Sequence, residues 1–257
     1  MVSPRPINDW ISCPQPRPGA RLRLFCFPYA GGGGSVFRAW WRAFPGEIEV
    51  CSVQPPGREH RLAETLFTEF APYVESLTES LAWRLNLPCA FFGHSLGALA
   101  AFECARRLRR RGQKGPEVLF ASGCRAPQTP MREKRVGSLP DDLFVEELRK
   151  LNGTPQEALE HPELMALLLP VVRADFAVYE SYEFRPETPL DCAIHAFGGV
   201  SDERVTRADL AGWSEQTTAA FSARMFPGDH FFLHPAQRGI VQAITAELER
   251  RPTNAYR

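Results

Sequence analysis

A chain of 257 residues that is 44% hydrophobic can bury one sizeable core, and its length does not require two domains. Thirty basic residues cancel thirty acidic ones to a formal net charge of +0, which argues against a nucleic-acid or anionic-membrane partner. The seven cysteines (Cys13, Cys26, Cys51, Cys89, Cys104, Cys124 and Cys192) stand singly with no C-x-x-C pair, so buried reduced thiols are expected rather than a disulfide framework or a zinc site. The N-terminus has no apolar leader segment and no stretch is long enough to span a bilayer, so a cytoplasmic protein is expected.

Residues 1–20, rich in proline, read as an irregular arm. Residues 21–27 form an apolar strand, residues 31–34 a loop, and Ser35 caps a helix running to Phe44. A second strand covers 47–53 and ends at Gln54-Pro-Pro-Gly57, and a helix follows over 70–85. Next come a short strand at 88–92, a helix over 99–111, and strands at 117–122, 191–197 and 222–226. A helix over 235–249 closes the chain. This alternation predicts an α/β protein with a mostly parallel central sheet and helices on both faces, a single domain spanning 1–257.

One stretch breaks the rhythm. Between residues 123 and 189 the pattern is helical only, at 141–151 and again over 161–183, where Pro170 should kink or break the longer helix. An all-helical insertion of approximately 125–188, on the side where active-site loops emerge, is placed to act as a lid. The plainer reading is that these helices only cover the sheet.

The most informative segment is Phe92-Gly-His-Ser-Leu-Gly-Ala98. It holds Gly-x-Ser-x-Gly between a strand and a helix, the context in which this motif forms a nucleophile elbow and lifts a strained serine above the sheet. A serine hydroxyl needs a base to take its proton and an acid to orient that base, in the chain order Ser, acid, His. His60 and His94 precede Ser95 or adjoin it, His161 opens the insertion's long helix, and His195 lies within a strand. His230, just after the last strand, occupies the required loop; His234, four residues on, is the competitor. Asp191 begins its strand at the wrong end of the sheet, Asp175 and Asp209 lie in helices, and Asp229 adjoins His230. Asp202 directly follows its strand in Gly198-Gly-Val-Ser-Asp202. The expected roles are therefore Ser95 nucleophile, Asp202 orienting acid and His230 general base.

The N–H of Leu96, which follows the nucleophile, should form half of an oxyanion hole, with Ala30 N–H in the loop Phe27-Pro-Tyr-Ala-Gly-Gly-Gly-Gly34 as the other half. A phosphate cradle is the rival reading of these glycines. It fails because no Gly-Lys-Ser/Thr follows, and Val36 stands where a dinucleotide fingerprint needs glycine. The run Arg106-Arg-Leu-Arg-Arg-Arg111 reads as a solvated helix end favoured by the helix dipole, with a docking patch for an acidic protein as the alternative.

Five segments together resemble the type II thioesterases, the stand-alone editing enzymes of polyketide and nonribosomal peptide pathways: Leu24-Phe-Cys-Phe-Pro-Tyr-Ala-Gly-Gly32, Pro56-Gly-Arg-Glu59, Phe92-Gly-His-Ser-Leu-Gly-Ala98, Gly198-Gly-Val-Ser-Asp-Glu203 and Gly228-Asp-His-Phe-Phe232. They spread over residues 20–245. The resemblance implies an α/β-hydrolase fold with a helical lid after the sixth strand. It also implies hydrolysis of acyl-phosphopantetheine thioesters on acyl or peptidyl carrier proteins. Ser95, Asp202 and His230 would be the triad and Ala30 and Leu96 the hole, with no metal or organic cofactor. Pro55 departs from the leucine the family often carries before Pro-Gly-Arg-Glu, and Arg58 and Glu59 receive no role. A carboxylesterase or lipase acting on free esters is the rival enzyme, and a binding protein on a hydrolase scaffold the rival outside enzymes.

Overall fold

Alternating apolar strands and amphipathic helices assemble into one seven-stranded sheet in the order β1-β3-β2-β4-β5-β6-β7. The computed structural model describes residues 10–132, 134–153 and 161–250. The strands are β1 (Ile11–Ser12), β2 (Leu22–Phe27), β3 (Ile48–Val53), β4 (Cys89–His94), β5 (Val118–Ser122), β6 (Ala193–Gly199) and β7 (Phe221–Phe226). All neighbours run parallel except β1, which lies antiparallel beside β3 with Ile11 opposite Val53. The strand order reverses at β2: the chain winds out to β3, then returns to β4 on the other side of β2. The crevice beyond the carboxyl ends of β2 and β4 is therefore where an open α/β sheet places its ligand. This is an α/β-hydrolase sheet.

The central strands are buried on both faces, and their residues divide by parity as a pleated strand requires. Phe25, Phe27, Phe91 and Leu119 pack with α1 (Phe70–Ala82) and α2 (Leu96–Arg110). Leu24, Cys26, Phe92 and Phe120 face the opposite layer, with Trp40 and the closing helix.

Several expectations need correction. The arm over 1–20 is not wholly irregular: β1 forms within it, although residues 1–9 lie outside the described residues. Because β1 runs beside β3, Cys13 meets Cys51 in a disulfide with Cα atoms 4.3 Å apart, so these two thiols are not reduced. The other five cysteines form no disulfide and are buried, as expected. Ser35 caps no helix; the segment is two short 3-10 turns, Gly34–Phe37 and Trp40–Arg42.

Within the expected insertion, residue 133 and residues 154–160 lie outside the described residues. The rest carries α3 (Asp141–Leu151) and α4 (Pro162–Glu180) between β5 and β6, which is after the fifth strand of this chain rather than the sixth. Pro170 does not break α4; the helix continues through it. The two helices share a small core of their own, where Phe144 meets Phe176 edge-on at 5.6 Å. Beyond β6, α5 (Arg207–Ala211) starts with a capping box, Thr206 and Asp209 each bonding the other's backbone, and α6 (Gln237–Glu249) ends the fold. No helix among the described residues is long and apolar enough to cross a membrane.

Candidate active site

Ser95 sits at the turn from β4 to α2 with φ 54° and ψ −120°, a conformation that costs a non-glycine residue energy and must be imposed by its surroundings. The surroundings do impose it. Ser95 N–H donates to Ser122 O at the end of β5 at 2.8 Å. A Cβ on Gly93 would overlap the Gly97 backbone, and one on Gly97 would overlap the carbonyl of Phe27, so both glycines let β2, β4 and α2 cross at contact distance.

His230 lies in the loop after β7, and its Nδ1 is 2.8 Å from Asp202 Oδ2. The Asp202 side chain is fully shielded from solvent, and its second oxygen accepts from the N–H groups of Arg204 (2.9 Å) and Val205 (3.2 Å). Burial works to raise the Asp202 carboxyl. The hydrogen bond and charge of His230, with the two backbone donors, outweigh it and hold the carboxyl below its ordinary value. A carboxylate so held keeps a proton on His230 Nδ1 and leaves Nε2 as the basic nitrogen.

Ser95, Leu96, Ala30 and His230 all border one cavity of about 280 Å³. Leu96 is the first residue of α2, so its N–H has no acceptor within its own helix. The roof is one face of α4: Leu168, Val172, Phe176 and Tyr179 recur at helical spacing and line the same cavity. Arg125 and Arg204 add positive charge to the cavity wall.

The remaining histidines and acids fall elsewhere. His234 bonds Tyr29 Oη through Nε2 at 3.0 Å and does not border the cavity. His195 packs on Phe120 and bonds Ser222 Oγ at 2.6 Å, His161 is the N-cap residue of α4, and His60 is exposed. Asp229 accepts from Phe231 N–H, and Asp209 serves the α5 cap. The arginine run is held within the fold: Arg106 pairs with Glu103, Arg107 and Arg111 with Glu75, and Arg109 and Arg110 with Glu187. It lies at the far end of α2, about 16–24 Å from Ser95 at 1.5 Å per residue.

Sequence reasoning missed two supporting roles. His94, the variable residue of the elbow, is completely buried; its Nε2 lies 2.9 Å from His230 O and its Nδ1 2.9 Å from Ser122 Oγ. It thereby ties the histidine loop to the serine strand, and burial, aided by the nearby His230, lowers its pKa to about 3. Gly123, at φ +57°, leaves room for that ring. Arg58 and Asp175 form a buried ion pair under the glycine loop. Position in the motif was the only available signal for His94, and none pointed from Arg58 to Asp175, 117 residues away.

The thioesterase domain family matches residues 22–248. The gramicidin S biosynthesis protein GrsT of Aneurinibacillus migulanus is 46% identical over 242 residues, 94% of each chain. Among solved structures, the RedJ thioesterase of the prodiginine pathway in Streptomyces coelicolor is 38% identical, with a TM-score of 0.85 over 95% of this chain and 91% of its own. The type II thioesterase BorB of the borrelidin biosynthetic cluster is 34% identical, with a TM-score of 0.84 over 94% of this chain and 97% of its own.

Proposed function

Because the chain belongs to the thioesterase domain family, we propose that it releases acyl groups from the phosphopantetheine arms of acyl or peptidyl carrier proteins, clearing stalled or mis-primed chains from a modular polyketide or nonribosomal peptide synthase in the cytoplasm. The observation that carries this reading is the shared cavity: Ser95, His230, Ala30 and Leu96 border it, Asp202 backs the histidine at 2.8 Å, and the apolar face of α4 closes it. Homologues from gramicidin S and prodiginine biosynthesis support the same setting.

In this mechanism His230 Nε2 takes the Ser95 proton as Oγ attacks the thioester carbonyl. The carbonyl oxygen becomes an anion received by the N–H groups of Ala30 and Leu96, the type of contact worth about 10²–10³ in rate per donor. Collapse breaks the C–S bond, and His230 returns the proton to the departing pantetheine sulfur. A water deprotonated by His230 then attacks the acyl-serine, and the free acid leaves with Ser95 Oγ reprotonated. The cavity's apolar roof suits an acyl chain, and the helices α3 and α4 serve as the lid over it.

Turnover of acyl-carrier protein and acyl-pantetheine, set against simple nitrophenyl esters, tests the reading. A kcat/KM clearly higher for the carrier-bound thioesters is expected. Preference for the free esters would make the protein a carboxylesterase, and failure of a fluorophosphonate to label Ser95 would leave only a binding protein.

A further inference from the structure

The Pro56-Gly-Arg-Glu59 segment turns back onto the glycine loop and grips its backbone. Arg58 and Asp175 are both more than nine-tenths buried, and they meet in a fork, Nη1 to Oδ2 at 2.5 Å and Nη2 to Oδ1 at 2.8 Å. Asp175 Oδ2 also accepts Gly31 N–H at 2.6 Å, while Arg58 Nη1 donates to Gly32 O at 3.0 Å. Next along the loop, Gln54 Oε1 accepts Gly34 N–H at 2.7 Å and Glu59 Oε1 accepts Ser35 N–H at 3.1 Å. Gly31, at φ +82°, packs directly beneath Val172 of α4. One ion pair therefore ties together the Pro-Gly-Arg-Glu turn, the loop carrying Ala30, and the roof helix.

We propose that Arg58 and Asp175 are positioning residues for the oxyanion hole: their ion pair holds the Ala30–Gly31 peptide through Gly31 N–H and the Gly32–Gly33 peptide through Gly32 O, which sets the direction of the Ala30 N–H, and it fixes the second half of α4 to that loop. This rests on the proposed reading of Ala30 as an oxyanion donor. The arrangement also has an electrostatic side. A carboxylate bonded to the residue next to Ala30 opposes the negative charge that develops in the hole, and Arg58 neutralises it. Loss of the arginine alone should therefore slow the reaction more than loss of the carboxylate charge alone.

A purely structural ion pair would behave differently under exchange for apolar residues of similar volume, which is often neutral for stability. The Arg58→Met/Asp175→Leu double variant should keep its Tm within a few degrees and its KM for acyl-pantetheine nearly unchanged. Its kcat should fall on the order of 10²-fold, the scale of a lost donor or a misplacement of about 1 Å. Affinity for a trifluoromethyl ketone substrate analogue, whose oxygen enters the hole once Ser95 adds to it, should fall by a similar factor. Wild-type kcat in a folded double variant overturns the proposal. Should that variant fail to fold, Arg58→Gln and Asp175→Asn decide: kcat roughly tenfold lower in Arg58→Gln is expected, and equal or reversed values overturn the proposal. Absence of thioesterase turnover in the wild-type enzyme would overturn the proposed function as well, which separates the two failures.

Discussion

Ser95, Asp202 and His230 come from the ends of β4, β6 and β7, so each depends on the sheet rather than on its neighbours in sequence. Ser95→Ala and His230→Ala should each lower kcat by on the order of 10³–10⁶-fold, and the double variant should be little worse, because in the proposed mechanism the two act as a unit. Asp202→Asn should cost about 10⁴-fold by leaving the imidazole in the wrong tautomer. His234→Ala, whose ring is engaged with Tyr29, should be far milder; single-turnover kinetics in which His234→Ala proved the more crippling histidine change would reassign the base. His94 makes a prediction of another kind. Its folded pKa, about 3, lies below the value near 6.5 of an exposed histidine, so the unfolded chain binds the proton more readily between those limits. The stability linked to a neutral His94 is complete above about pH 6.5 and is lost as pH falls toward 3, at up to about 1.4 kcal/mol per pH unit. Urea midpoints measured across that window should fall less steeply for His94→Gln than for the wild type, and identical slopes would contradict this.

The two halves of α4 differ. Before Pro170 the helix exposes Leu164 (41%) and Leu167 (59%), whereas after it Val171, Val172, Ala174, Asp175 and Val178 are buried. The second half is also pinned by Arg58 at Asp175 and by Gly137 and Val136, whose N–H groups donate to Glu180. Pro170 lacks the N–H that would bond the preceding turn, so the boundary between the halves is the natural place for bending. Motion that admits a phosphopantetheine arm should therefore belong to the first half of α4 together with α3. A disulfide from the first half to the body should depress turnover of acyl-carrier protein far more than that of nitrophenyl esters, which are small enough to enter a partly closed site. Equal loss on both substrates, or on neither, would reduce these helices to a cover for the sheet.

At the scale of the whole molecule, two apolar layers sandwich the sheet, and the edge strand β1 is joined to β3 through Cys13–Cys51. That bridge spans 38 residues of sequence, and closing such a loop restricts the unfolded chain by an amount typically worth about 2–4 kcal/mol. Thermal melts should show Cys13→Ser less stable than the oxidised wild type. A reductant should lower the wild-type Tm toward that of the variant and leave the variant unmoved. A wild-type Tm insensitive to reductant would mean that the bridge contributes nothing.

The sequence by itself determined whatever depends on local pattern. Strand–turn–helix around Gly93-His-Ser-Leu-Gly97 specified the elbow, short apolar runs alternating with helical patterns specified the sheet and its layers, and position after a strand singled out Asp202 and His230. Even α3 is bounded as the periodicity predicts, at Asp141–Leu151. Where pattern was weak, the reading failed: two residues of β1 carry no period, and the 34–44 segment forms two short 3-10 turns that bury Phe37 and Trp40. Only the tertiary structure decided which distant groups meet. Cys13 finds Cys51 because an edge strand docks, His94 finds the carbonyl of His230 across the sheet ends, and Arg58 finds Asp175 under the glycine loop. Such pairings are set by packing between elements far apart in the chain, and no local spacing encodes them.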